Sequence, residues 1–599
     1  MIISTDTIRL TPALKIPNLM TLFIRTHFVF LLFLNVAAAF VTAQNLPELR
    51  VVSESRITAE QRALIEQAVP TEAIVKPLKA RKLLIFDANA GYGGHGSIPY
   101  TNDAFTLMGK NTGAFETVIS RDPQVFQADS LKQYDAVFFN NTVGNLFTDP
   151  QLRQNIVDFV RRGGGLMGVH GTTAAFLNWG GPNSGSEDWA EFGEMIGGRG
   201  AVHREMDETI FVKVEEPDHP LMQFFPKEGF EYQSEFFRVS DPYSREKQRV
   251  LMSIDKEKTN LNREPYIGVK ERADEDYALA WVKSYGQGRC FYSAFGHDPK
   301  IFWDPAMLKF YLAATQFVLG DLDASTLPSA MVNDTIRTHE QLGWRLVMPA
   351  YTFHRFSLFE TIDKTAELGL RYCGGLSFQK VGGGIDKFLD PEQLNDEEIA
   401  AVVAKLQAKG IRMVSYYYHE LPGDEAACRK IFEFARKLGI ETFLSEPKAE
   451  NLDMIERLCD EFGINVALHN HAERLSPHLW HPQKVLELCQ NRGPRIGACG
   501  DLGYWMRAGV DPIEAARILK NRLMVVQVHD LDEFSPNGSD VRWGTGAGKT
   551  KAFFEELHKL GVRPLDVDLE YSNNFEDNME DCRKCIEFFN ETVKNIIAR

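Results

Sequence analysis

The chain has 599 residues, 44% hydrophobic, 25% charged and 11% aromatic, with 46 glycines and 27 prolines, a balance that excludes disordered, collagen-like and multi-span membrane proteins. At roughly 100–250 residues per domain, two or three domains are expected. The formal net charge of −16, from 66 Lys and Arg against 82 Asp and Glu, argues against nucleic acid or an anionic membrane surface as partner, because phosphate binding is driven by clustered basic side chains.

The first feature in chain order is the apolar run at 28–41 (FVFLLFLNVAAAFV), broken only by Asn35, preceded by Arg25 and His27 and followed by Thr42 and Ala43. This order of basic, apolar and small residues predicts a secretory signal over residues 1–43, cut after Ala43, and a periplasmic or secreted protein. The run is shorter than the about 20 apolar residues of a spanning helix, so no stable membrane span is expected. A start at Met20 instead of Met1 gives a more usual signal length. Eight cysteines are scattered rather than arranged as a framework, and a protein of this size needs no disulfide staples. Cys582 and Cys585 have CxxC spacing, but they fall inside an amphipathic helix with no second pair.

After a polar helical stretch at 58–69, the segment 82–87 (KLLIFD) reads as a buried strand leading into a glycine-rich turn, GYGGHGSIP at 91–99. Strands follow at 116–120 and 134–140, then a helix at 151–162 and a strand at 165–170. Strands alternating with helices predict a doubly wound α/β sheet. Residues 91–96 do not have the GxGxxG spacing and give no ground for a dinucleotide site. β-rich pieces at 209–214 and 277–283 precede CFYSAFGHD and a helix at 305–319. Residues 321–345 carry no strand and read as a linker with a short helix.

A regular strand–helix repeat follows, with strands at 346–352, 371–376, 412–418, 441–445, 465–471, 496–501, 523–529 and 565–570 and a last helix at 579–596. Eight βα units in roughly 250 residues predict a (β/α)8 barrel over 346–599, whose chemistry belongs at the C-terminal ends of the strands. Strand four runs into Glu446; strand five carries His469 and His471 on one face, since side chains repeat every two residues. Strands six, seven and eight end at Asp501, His529 and Glu570. Imidazole mixed with carboxylate suits Mn, Zn, Co or Fe better than Ca.

From about Tyr351 to Arg599 the chain resembles the sugar phosphate isomerase/epimerase family of xylose isomerase-like, or AP-endonuclease-family-2-like, barrels. The resemblance rests on VALHNH, GACGDLGYWMRAG, VVQVHDLDE with the following WGTGAG, and VDLEY. It implies a divalent ion (Mn, Zn, Co or Mg) held by His469, Asp501, His529 and Glu570, and a sugar or keto-sugar substrate. His469 stands where the family commonly has Glu, and Tyr504 replaces a frequent His. Glu570 is the expected base as well as ligand, and His471 an extra metal or substrate group; either Glu446 supplies the missing carboxylate as a second base, or the chemistry needs only one. His354, His419, Tyr504 and Arg542 are expected substrate contacts, and Tyr351, Phe353, Trp480, Tyr504 and Trp505 candidates to stack on a sugar ring. The family's DNA-repair activity is disfavoured by the acidic charge, the export signal and the replaced ligand.

Residues 80–320 resemble the trehalose-utilisation-like (ThuA-like) domain, a relative of class I glutamine amidotransferases, through GYGGHGSIP, GGGLMGVHGTTAAF, EPDHPL, SEFF and FGHDP. His170 occupies the turn where an amidotransferase carries its nucleophilic cysteine, so thiolate chemistry is not expected. His95, His170, His203, Glu235 and His297 are candidates for a pocket at the strand ends, where open α/β sheets bind ligands; His219 reads as a loop residue. The reading as a whole is an exported carbohydrate-processing enzyme with metal-dependent isomerase or epimerase chemistry in the barrel. The alternatives are a keto-sugar lyase or dehydratase on the same barrel, and a non-catalytic carbohydrate-binding or scaffold protein.

Overall fold

The computed structural model describes residues 49–50, 57–178, 188–204, 207–261 and 272–599; the signal expected over residues 1–43 lies outside them. Among the described residues no helix is long and apolar enough to cross a membrane. All eight cysteines are free and buried.

The first domain is built on strands β1 (Lys82–Phe86), β2 (Glu116–Ser120), β3 (Ala136–Asn140), β4 (Gly165–Val169), β5 (Glu208–Val214), β6 (Phe230–Ser234), β7 (Arg249–Ile254), β8 (Ala278–Tyr285) and β9 (Gly288–Ser293). They form one nine-stranded sheet in the order β2-β1-β3-β4-β9-β8-β7-β5-β6. Runs such as LLIF and AVFFN are apolar without alternation because helices cover both faces of the parallel half. From β9 onward neighbours are antiparallel. The strands β6 and β7 have no counterpart among the segments read from the sequence.

The second domain is a closed barrel of eight parallel strands: β10 (Leu346–Met348), β11 (Tyr372–Leu376), β12 (Arg412–Tyr417), β13 (Thr442–Ser445), β14 (Asn465–His469), β15 (Ile496–Asp501), β16 (Leu523–Val528) and β17 (Asp566–Leu569). Its helices start at local signals. Ser357 with Glu360, and Asn395 with Glu398, form capping boxes that satisfy the free N–H groups of the helices Leu358–Glu367 and Asp396–Lys409.

Residues 321–345 carry a helix, Asp334–Gln341, packed against both domains. Arg249 on β7 is almost fully buried and reaches Glu216 at 3.0 Å and Glu340 of that helix at 2.8 Å, while Arg337 returns to Glu216 at 3.1 Å. Leu327 packs with Val347, Tyr372 and Val414 near the starts of barrel strands. Gln287, in the turn before β9, donates to the carbonyl of Ile440 just before β13. The domains therefore touch near the starts of β7, β9 and the barrel strands, with Glu216 just past the end of the antiparallel β5.

Breaking a buried ion pair by removing one partner typically costs about 3–5 kcal/mol. Arg249→Met should thus lower the urea midpoint of unfolding and speed protease cleavage within 321–345. Unchanged cleavage would mean that these pairs do not hold the connecting helix.

Candidate functional site

The strands β14 to β17 are consecutive neighbours in the barrel, so their ends meet. Asp501 closes β15, and His529 and Glu570 lie one residue beyond β16 and β17. His529 Nε2 is 3.6 Å from Asp501 Oδ2 and 3.8 Å from Glu570 Oε1, and one donor atom from each of the three lies within 4.8 Å of the others. All three side chains are buried. Asp501 serves twice, because its Oδ1 accepts from the Tyr504 N–H at 2.8 Å and caps the helix Leu502–Arg507.

The ring of His529 is fixed from behind. Its Nδ1 donates to Asp540 Oδ2 at 2.6 Å, the outer partner that metal-binding histidines ordinarily have. Burial would lower the imidazolium, but Asp540 and Asp501 outweigh it and hold it well above its ordinary value. Its Nε2 is buried with no hydrogen-bond partner and faces two carboxylates. A divalent ion at this point would take the place of that proton, and the donor set of Asp501, His529 and Glu570 fits one. Burial, with Asp501 adding and His529 opposing, pushes Glu570 up to about 7. Below it on the same face of β17, Asp568 is buried, and burial together with Asp566 and Glu570 pushes it well above the carboxylate range against the opposing Gln527 side chain.

A second cluster stands beside the first. Glu446, just past β13, accepts from the Tyr417 hydroxyl at 2.9 Å and from His471 Nδ1 at 2.5 Å on Oε1, and from Ser476 on Oε2. His419 and His469 both present Nδ1 at 3.4 Å. Burial would raise Glu446, but the bonds from His469 and His471 prevail and hold it far below the usual carboxylate range. His469 joins the clusters. Its Nε2 bonds Gln527 Oε1 at 2.7 Å and lies 3.8 Å from Asp501. Burial opposes its charge, yet Asp501 and Glu446 lift it to about 10. Three of the four residues read as ligands thus surround one point. The fourth is adjacent but spends its nitrogen on Gln527, which it must release to become a ligand.

Among the other residues singled out, Tyr504 packs its ring on His471 at 4.5 Å. His354 bonds the carbonyl of Tyr351 and stacks on its ring, with Tyr351 37% exposed. Arg542 is drawn to Asp581 at 2.6 Å rather than to either cluster, because that carboxylate opens the last helix directly alongside it. Phe353 and Trp505 are fully buried in the core and offer no face to a ligand, whereas Trp480 is half-buried. Asp540, Gln527, Tyr417 and Ser476 carry no sequence signal of their own. Asp540 and Ser476 lie in irregular loops, and Gln527 and Tyr417 are inward strand residues whose neighbours drew attention instead.

At the C-terminal ends of the first domain's strands, the five residues expected to share a pocket do converge. Glu235 is 3.1 Å from His170 Nε2, 3.4 Å from His203 Nδ1 and 3.8 Å from His297 Nε2. The ring of His95 lies 4.8 Å from that of His170 and 5.7 Å from that of His297. Burial, together with the neighbouring His170 and His297, holds His95 well below its ordinary value. His219 bonds the carbonyl of Ser325, away from the group.

Comparison with known proteins agrees with this architecture. Residues 82–318 match the ThuA family, described as trehalose utilisation, and residues 362–591 the family described as xylose isomerase-like TIM barrel. The chain joins a ThuA domain to a xylose isomerase-like TIM barrel. Among solved structures, an uncharacterised protein from Parabacteroides distasonis is 30% identical over 42% of this chain and 99% of its own, with a TM-score of 0.35. A ThuA-like protein from Bacteroides uniformis is 19% identical over 40% and 91%, with a TM-score of 0.32, and a D-tagatose 3-epimerase-like protein 16% identical over 42% and 98%, with a TM-score of 0.35. No curated protein matches.

Asp540→Asn leaves the ligand trio in place but weakens the carboxylate that orients His529. Metal affinity at the barrel should fall by about 10–100-fold in a zinc or cobalt titration, with the far-UV circular dichroism unchanged. An unchanged affinity would separate Asp540 from the site.

Proposed function

We propose that the barrel is the active part of a carbohydrate-processing enzyme that works with a divalent ion and removes a proton from a carbon beside a carbonyl, as a sugar isomerase does. One observation carries this reading: Asp501, His529 and Glu570 form a cation-type donor set at the barrel mouth, with the buried carboxylate Glu446 and His469 directly beside it. A carboxylate within reach of the reacting carbon can act as general base. The match of residues 362–591 to xylose isomerase-like barrels supports a sugar or keto-sugar substrate.

When bound, the ion would polarise the substrate's carbonyl or hydroxyl oxygen. The chain's own residues divide the remaining work. Asp501 and His529 hold and orient, with Asp540 fixing the ring of His529. Glu570 takes the carbon-bound proton. His469, charged between Glu446 and Gln527, places a positive group beside the oxygen on which negative charge develops. Glu446 accepts bonds on both oxygens and has little affinity for a proton, so its role is to hold His469 and His471 in place.

This distribution favours one base over two. A single carboxylate can take a proton and return it to the neighbouring carbon from the same side, which shifts a carbonyl along the sugar; it can also initiate elimination. Two-base epimerisation needs a second carboxylate free to titrate, and Glu446 is not free. Elimination, as in a keto-sugar lyase or dehydratase, is the second reading. It differs in producing an unsaturated carbonyl with ultraviolet absorbance.

Exchange of substrate hydrogen in deuterated water, across a panel of sugars and keto-sugars, tests the assignment. Glu570→Gln should slow exchange by about 100-fold or more, the typical contribution of a general base. Glu446→Gln should slow it by only about 10-fold, the effect of disturbed positioning. Equal losses would restore Glu446 as a second base. Export, read from residues 1–43, makes the substrate an extracytoplasmic one. Protein recovered from the periplasm or medium should begin at Gln44, and an intact N terminus would overturn that reading.

A further inference from the structure

Five histidines lie between residues 82 and 318, and four of them surround one carboxylate. From this arrangement we infer that the first domain holds a second divalent metal, an ion of the zinc class, on His95, His170 and Glu235, with His203 and His297 at its open side. This centre is independent of the barrel.

Three observations together point to an ion there. First, the donor geometry is close to that of a bound ion. A tetrahedral ion with bonds of about 2.0–2.1 Å sets its donors about 3.3–3.4 Å apart. Here His170 Nε2 and Glu235 Oε1 are 3.1 Å apart, and the three donor atoms lie within 4.8 Å of one another. Second, His170 is oriented as a ligand is: its Nδ1 bonds the carbonyl of Ala294 at 3.2 Å, which turns Nε2 towards Glu235. Its backbone sits in the left-handed region, at φ 39°, and its carbonyl accepts from the Tyr292 hydroxyl; such strain collects at functional sites. Third, His95 is only 4% exposed, yet its Nδ1 has no hydrogen-bond partner. A buried polar atom without a partner costs free energy that a metal bond would offset.

The cradle is also shaped for these rings. A Cβ on Gly171 would stand 2.8 Å from the His95 ring, and one on Gly296 would stand 2.8 Å from the Cβ of His170. Among the described residues the ion pairs of Glu235 are all to histidines. Imidazole-rich donors select zinc, copper, nickel or iron over magnesium and calcium. The three inner residues are buried, whereas the side chains of His203 and His297 are 18% and 20% exposed. A centre with buried ligands on one side and solvent on the other has the open position of a catalytic site rather than the closed shell of a structural one. That position accepts an oxygen donor, such as water or a sugar hydroxyl, beside the His203 and His297 rings.

Cobalt(II) titration of the full chain, read by its visible ligand-field bands and by elemental analysis, tests the inference with no activity measurement. Asp501→Asn, which disables the barrel centre, should leave one cobalt per chain with nitrogen-type bands. Adding Glu235→Gln should weaken that remaining site by more than the about 10–100-fold that loss of an outer-shell partner costs. If Glu235→Gln fails to fold, His95→Ala decides, since it removes one nitrogen donor and keeps the His170–Glu235 pair. Unchanged cobalt affinity in either variant overturns the inference, as does a wild-type chain whose whole metal content disappears with Asp501→Asn. A wild-type chain whose metal is lost only with Glu235→Gln supports this centre and refutes the barrel assignment.

Discussion

A buried carboxylate needs its charge compensated, and where a cation does this its identity divides this protein into scaffold and site. Where the fold is simply held together, the partner is arginine: Glu208 with Arg238, Glu216 with Arg249, Asp566 with Arg345 and Asp321 with Arg81. At the strand ends it is histidine, around Asp501, Glu570 and Glu446 in the barrel and Glu235 in the first domain. Arginine is permanently charged and cannot give up a proton. Histidine can exchange its proton for a metal ion. The same electrostatic need is thus met permanently in the core and replaceably at the sites.

The replaceable pairs differ among themselves. Around Glu570 burial prevails and pushes the carboxyl up, while His469 and His471 outweigh burial and draw Glu446 far the other way. Two glutamates at one barrel mouth therefore have different capacities, set by their surroundings and not by residue type. Asp530 shows a third use. Buried beside His529, it accepts from the N–H groups of Gly544, Gly546 and Gly548 and from the Thr550 hydroxyl, and so shapes the glycine-rich loop after β16.

The join between the domains lies apart from the two clusters. Leu327, Gln287 and the Arg249 network tie the domains together near the starts of β7, β9 and the barrel strands. The histidine and carboxylate groups lie at the C-terminal ends of the strands, away from these contacts.

Much of this was legible in the residues alone. The eight barrel strands agree with the pattern to within a few residues, because buried parallel strands are short apolar runs and the helices between them carry amphipathic periods and caps. Asp501, His529 and Glu570 were legible for the same reason: the end of a strand in such a barrel is a defined place, and a polar residue there breaks an apolar run. The five-residue group of the first domain was likewise visible as polar residues in glycine-rich turns. What the sequence could not determine was partnership. That Asp540 rather than solvent holds His529, that Gln527 competes for His469, that Glu446 is saturated and Glu570 is not, and that Arg542 turns to Asp581 all depend on distances between segments far apart in the chain. Hydrogen-bond reach and local dielectric are properties of the packed tertiary structure, and they decide which of several chemically similar side chains can bind a metal, move a proton or do neither.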